Sequence, residues 1–300
     1  MHNILLGERT TRDIDTAVAK ILKDIGNPEP PLSLEVVRDL LELDRAWYSS
    51  KDDGALREVA HRMKLAGKQV FQRPTLLVDA VKKFSLKALW HPDSKRILLD
   101  ADIPDAKKRW NEAHEIGHSL IPWHESMCHG DHQQTLSYSC HQQIEAEANY
   151  AGGRLLFLQE RFAEELHAGP INLDRVKKLG KQFGNTITSS LWRAIESLDV
   201  PAVAMISQHP RDFSGDEIVR YFIRSRRFSH EFSALEPRDL FDTLGTFCRR
   251  EPGPIGQSDL VFADANGQDH IFNCEAFHNR YDTLTLAVHV GARQFAIAMS

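Results

Sequence analysis

The sequence predicts an α+β protein of two domains: a mostly helical one over residues 1–200 that carries a short β-hairpin, and an α/β one over residues 201–300. Three observations carry this expectation. Apolar residues in the first part recur at helical spacing. From about Pro201 they form short strand-like blocks rich in Val, Ile and Phe. A chain of 300 residues is also more than one small core usually organises, since domains cluster near about 100–200 residues.

In TRDIDTAVAKILKDIG, residues Ile14, Val18, Ile21 and Ile25 fall on one helical face, and Gly26 supplies the stop. Residues 27–31 break the run. Apolar stripes return in LSLEVVRDLLEL from Leu32, GALREVAHRMKLAG from Gly54 and TLLVDAVKKF from Thr75. LKALW and RILLD then flank His91-Pro92-Asp93-Ser94-Lys95, two apolar strands around turn-forming residues, which is the pattern of a β-hairpin. A long helix is expected over 104–122.

Leu173 to Leu198 contains two helical runs around Gly184-Asn185, an arrangement that resembles a helix-turn-helix. Arg175, Lys177, Lys178, Lys181 and Arg193 would then be phosphate contacts. Leu191, Trp192 and Ile195 call for burial, however, and the second run offers few base-reading side chains, so a structural helix pair is the expectation. Beyond Pro201, AVAMIS, IVRYFIRSRRF, DLVFADANGQDHIFNCEAF, TLTLAVHV and FAIAM read as strands of an antiparallel sheet. Asn266-Gly267 supplies a hairpin turn, and one helix runs from about Pro237 to Arg249.

Hydrophobic residues at 42% and charged residues at 26% exclude collagen-like and wholly disordered chains. A formal net charge of −5 argues against a broadly basic nucleic-acid binder. No stretch reaches the roughly 18 apolar residues of a membrane span, and the N-terminus turns charged too early for a signal peptide. A cytoplasmic protein without a membrane partner is expected. Cys128, Cys140, Cys248 and Cys274 show no CxxC spacing, so reduced thiols are expected. The 15 histidines are the compositional anomaly.

His114-Glu115-Ile116-Gly117-His118 is an HExxH pattern inside a segment of helical period. Positions i and i+4 lie on one helix face about 5–6 Å apart, so both imidazoles can reach one ion with Glu115 beside it. Zn²⁺ suits such ligands: it keeps a position open for water and lowers that water's pKa toward neutrality. Glu115 would take the water's proton during attack on a carbonyl and return it to the leaving amine. Ala113, Ile116, Gly117 and Leu120 make the rest of the helix small and apolar, which argues against a merely solvated face.

The third ligand is expected at Glu145 in QIEAEANYAGGRLLFL. Asn149 follows at i+4 and would support a ligand through a hydrogen bond. Glu147 points about 200° around that helix and is the weaker choice.

At this point the residues carry a resemblance. ILLDADIPDAKKRWNEAHEIGHSLIPWH, EAEANYAGGRLLF and LDRVKKLGKQFGNTITSSLWRAIESL resemble, in order and spacing, the ImmA/IrrE family of zinc metallopeptidases over about Arg96 to Leu198. AGGRLLF departs from the FAAELLMP-like run of many members. The resemblance implies a zincin-type metallopeptidase domain, with His114, His118 and Glu145 as metal ligands and Glu115 as catalytic base. It implies that the substrate is a helix-turn-helix repressor protein, whose cleavage releases stress or anti-phage defence genes. It also implies a GAF-like sensor domain over 201–300, answering a DNA-damage or nucleic-acid signal.

Four further features are candidates. Cys128, on a polar loop after the second histidine, is either a small buried residue or a thiolate on the fourth metal position that holds the enzyme latent; the resemblance raises the second reading. His124, His129, His132 and His141, between the two ligand helices, read mostly as loop or polar-network residues; one of them, with His141 a candidate, or Tyr138 or Tyr150, would stabilise an oxyanion. Arg220, Arg224, Arg226 and Arg227 lie among Tyr221, Phe222 and Phe228, which suits phosphates and stacked bases of single-stranded DNA as activator, or a charged edge strand that blocks aggregation. The competing function is a non-catalytic metal-binding regulator that acts by binding DNA or protein.

Overall fold

The computed structural model describes residues 2–48, 88–91, 95–124 and 138–293. The helical runs expected from Gly54 and Thr75, the hairpin tip at 92–94 and the final strand FAIAM lie outside the described residues. The fold mixes helix and sheet and divides into two compact units. One comprises Leu6–Glu160 and Gln182–Asn185; the other comprises Met1–Leu5, Arg161–Lys181 and Thr186–Ser300.

In the unit that begins at Leu6, helix α1 (Glu8–Asp24) buries Ile14, Val18, Ile21 and Leu22. Gly26 at φ +83° takes the left-handed conformation that a side chain disfavours, which ends the helix where the sequence predicts. Helix α2 (Leu34–Leu41) follows, and then strand β1 (Asp44–Tyr48), which the helical reading of this stretch does not anticipate. β1 exists because a remote strand pairs with it.

That partner is β3 (Arg96–Asp100), the second arm of the expected hairpin with β2 (Ala88–His91). β2 pairs antiparallel with β3, Ala88 opposite Leu99, and β1 pairs parallel with it on the other side, Asp44 opposite Arg96. β3 is therefore the central strand of a three-stranded sheet, with Ile97 and Leu99 fully buried. Asp100 leaves β3 buried and accepts the Asp102 amide at 2.9 Å, a turn that delivers the chain to helix α3 (Asp105–Leu120). Pro122 breaks this helix two residues short of the expected end, and a new helical turn carries His124. Helix α4 (Tyr138–Leu156) completes the unit.

Two ion-paired contacts lock α3 and α4 in place. Glu112 of α3 is buried and takes Arg38 of α2 at 2.6 Å and Arg45 of β1 at 3.1 Å. Asp15 of α1 takes Arg154 at 2.5 Å and the Tyr150 hydroxyl at 3.2 Å, both from α4.

The other unit takes up the chain at Arg161, so the domain boundary expected at residue 200 falls inside it. Helices α5 (Glu160–His167), α6 (Leu173–Gln182) and α7 (Ile187–Glu196) precede the sheet. α7 packs on the sheet through the fully buried Leu191, Ala194 and Ile195, and the Leu173 amide donates to Glu275 of a strand. The apolar face of α7 is thus covered by strands that follow it in the chain. The cations of this segment are largely engaged: Arg175 donates to the Glu165 and Leu166 carbonyls, Lys177 stands 4.0 Å over the Phe277 ring, and Arg193 is buried beside Glu196.

The sheet contains β4 (Ala202–Ser207), β5 (Val219–Arg224), β6 (Gly253–Ala263), β7 (Asp269–His278) and β8 (Thr283–Ala292) in the order β5-β4-β8-β7-β6, antiparallel throughout. Every residue of β4, an interior strand between β5 and β8, is buried. Gly267 at φ +81° makes the expected turn between β6 and β7. Arg226–Glu231 is a short helix, α8, rather than a continuation of β5, because the Ser225 hydroxyl caps it by accepting the Phe228 amide at 3.2 Å. Helix α9 (Pro237–Phe247) lies close to the expected one.

Candidate metal centre

The centre depends on how closely α3 and α4 approach. A methyl on Gly117 would stand 2.6 Å from the Ala148 carbonyl oxygen, and one on Gly152 would stand 2.9 Å from that of Ala113. Ala113, Ile116, Ala148 and Ala151 fill the rest of the seam without exposure. Such small residues let two backbones nearly touch, so side chains one turn away on either helix reach each other.

His114 and His118, one turn apart on α3, bring their Nε2 atoms to 3.2 Å. Glu145 of α4 stands opposite, 3.2 Å from His114 Nε2 and 3.7 Å from His118 Nε2. These three residues are a group that could hold a metal ion, with ligand atoms all within 4.8 Å of one another. Two imidazole nitrogens and a carboxylate fit zinc, whose nitrogen and oxygen ligands stand roughly 2.0–2.2 Å from the ion. Glu115, the next residue after His114, is 5% exposed.

Each imidazole is held from behind. His114 Nδ1 lies 3.1 Å from Asn149 Oδ1, an acceptor for the Nδ1 hydrogen, and Nε2 faces Glu145 and His118. Burial opposes the protonated form of His114, but Glu145, Glu115 and Asn149 outweigh it and hold its pKa above the ordinary histidine value. Behind His118 is a chain formed by His124 and Glu147, which sequence reasoning treats as a polar-network residue and a weaker ligand and does not connect to His118. His118 Nδ1 lies 3.0 Å from His124 Nδ1, and His124 Nε2 lies 3.0 Å from Glu147 Oε2.

Glu147 also accepts from Trp123 Nε1 at 2.7 Å and from Gln143 Nε2 at 2.8 Å. Burial would raise its pKa; the His124, Gln143 and Trp123 donors outweigh that and hold it below the usual carboxylate range. Glu147 is thus 6% exposed and turned to His124. The available signal was the spacing of His124, six residues past His118, the interval at which metzincins place a third ligand. Here that imidazole backs His118 instead.

Cys128 lies outside the described residues, and so do the side chains of Tyr138 and His141. Tyr150 is turned to Asp15, in the α1–α4 contact, which occupies its hydroxyl. In the other unit, Arg220 pairs with Asp282 at 3.1 Å and Arg227 with Glu231 at 2.7 Å. Arg226 is exposed at the start of α8, and the Arg224 amide bonds Asn3. Phe222 and Phe228 are fully buried in the core, so they cannot stack on bases; Tyr221 packs edge-on against Trp192.

No protein-family model matches the chain, and no curated protein matches it in sequence. A solved structure, a Mycobacterium tuberculosis transcriptional regulator, is similar in fold, with a TM-score of 0.53 at 14% identity over 94% of this chain and 90% of that one.

Proposed function

We propose that the chain is a cytoplasmic zinc endopeptidase of the ImmA/IrrE type whose substrate is a helix-turn-helix transcriptional repressor. The observation that carries this reading is the convergence of His114 Nε2, His118 Nε2 and Glu145, with the buried Glu115 on the same helical turn. Zinc held there would supply Lewis acidity toward a peptide carbonyl and toward water. Glu115 takes the proton of the attacking water and passes it to the leaving nitrogen. Asn149 and His124 hold the two imidazoles in orientation from behind.

An extended substrate segment suits an outer strand that can add a neighbour by main-chain hydrogen bonds. RILLD, which is β3, is the central strand of the small sheet and is paired on both sides. β2, one of the two outer strands among the described residues and the one packed on α3, takes that role. The helical unit with its small sheet supports a zincin-type domain, and the five-stranded antiparallel unit supports a GAF-like sensor. Single-stranded DNA remains the proposed activator, acting through Arg224 and Arg226 by phosphate contact rather than by stacking on Phe222 or Phe228.

The fold likeness to a transcriptional regulator favours a second reading, in which the metal-loaded chain only binds DNA or protein. The experiment that decides is incubation of the zinc-loaded chain with any small helix-turn-helix protein that an adjacent gene encodes, with and without single-stranded DNA. Cleavage by wild type that falls about 10²–10⁴-fold in Glu115→Gln, with zinc content unchanged, supports the peptidase. Equal cleavage by Glu115→Gln removes Glu115 as base. Absence of cleavage together with repressor or DNA binding by both forms supports the regulator.

A further inference from the structure

We infer that Glu147, acting through His124, sets the tautomer of His118 and thereby makes its Nε2 available to the metal. His124 and Glu147 are positioning residues, and the inference rests on the metal-site reading above. When two imidazole nitrogens face each other at 3.0 Å, as His118 Nδ1 and His124 Nδ1 do, one must carry the proton and the other the lone pair. The pair alone does not decide which.

Glu147 decides it. Its Oε2 takes a hydrogen from Trp123 Nε1, which can only donate, and its Oε1 takes one from the Gln143 side chain. Both oxygens therefore act as acceptors, and His124 Nε2, 3.0 Å from Oε2, must be the donor. In the neutral imidazole, a proton on Nε2 leaves His124 with a bare Nδ1. His118 must then donate from its own Nδ1, which leaves His118 Nε2 unprotonated on the side of His114 and Glu145.

Replacing the carboxylate by an apolar group frees His124 to carry its proton on Nδ1. His118 would then be driven toward the Nε2–H tautomer, which has no lone pair for a metal. His124 is fully buried, so water is not at hand to offer an alternative partner. His114 needs no such relay, because the Asn149 amide oxygen is itself an acceptor. Ligand imidazoles backed by hydrogen-bond partners in this way typically lose about 10–100-fold in metal affinity when the partner is removed.

The test uses the full chain without substrate. In metal-free wild type at neutral to mildly alkaline pH, long-range ¹⁵N–¹H spectra of the imidazoles should show His118 as Nδ1–H and His124 as Nε2–H. Zinc dissociation constants by chelator competition should rise about 10–100-fold in His124→Phe and in Glu147→Leu. Glu147→Gln keeps an acceptor oxygen and should stay near wild type, a rescue that a purely structural role would not give. His118 found as Nε2–H in wild type overturns the inference, and so does an unchanged zinc affinity in folded His124→Phe. The wild-type spectrum decides even if a variant fails to fold. A chain that passes these tests yet cuts no protein overturns the peptidase reading and leaves this one standing.

Discussion

Gly117 of α3 lies so close to α4 that a single added methyl would meet the Ala148 carbonyl oxygen at 2.6 Å. This residue is the fourth of the HExxH pattern, so the motif carries its own packing requirement along with its two histidines. Gly117→Ala must push α4 away from α3, and Glu145 and Asn149 move with it. Zinc binding should weaken by tenfold or more, by a path that alters no ligand. Calorimetric titration of the folded variant checks this, and a wild-type affinity would show that the helix contact does not hold the site.

Glu145 and Asn149 both come from α4 but serve different ends. Glu145→Ala removes a ligand and should abolish stoichiometric zinc on gel filtration. Asn149→Ala removes only the acceptor behind His114 and should retain zinc with about 10–100-fold lower affinity. Equal loss in the two variants would place Asn149 among the ligands.

Phe228 contributes to folding rather than to recognition. It is fully buried, stacked on Phe232 at 5.3 Å and edge-on to Phe272 at 5.8 Å. Phe228→Ala should cost about 3–5 kcal/mol in urea unfolding of that unit, whereas the exposed Arg227→Glu should cost at most about 1 kcal/mol. An unaltered denaturation midpoint in Phe228→Ala would contradict its place in the core.

Cys248 and Cys274 are free and almost fully buried. Burial pushes the Cys248 thiol up to about 11, and burial with Cys248 and Glu275 nearby pushes Cys274 higher still. A raised pKa keeps the unreactive thiol form at neutral pH, since the thiolate is the nucleophile. In a Cys128→Ser, Cys140→Ser variant, aromatic disulfide reagents at pH 8 should find no reactive thiol until denaturant is added. Prompt labelling in buffer would show that this core opens.

The sequence by itself determined helices α1, α2, α3 and α9, the β2–β3 pairing and the antiparallel β6–β7 hairpin, because a helical apolar stripe and a turn dipeptide such as Asn266-Gly267 are local signals. It also determined which face of α3 presents His114 and His118, since the i, i+4 spacing fixes that geometry on any helix. What depended on partners remote in sequence was decided only by the tertiary structure. DRAWY becomes a strand because β3 pairs with it, and RILLD becomes central for the same reason. SRRF becomes a helix, with Phe228 in the core beneath it, because Ser225 caps it and Phe232 and Phe272 pack against that ring. Glu147, by its angle on α4 a poor ligand, acquires its place from Trp123, His124 and Gln143. Such roles are set by which buried polar atoms must satisfy one another once water is excluded, and that pairing is a property of the folded chain.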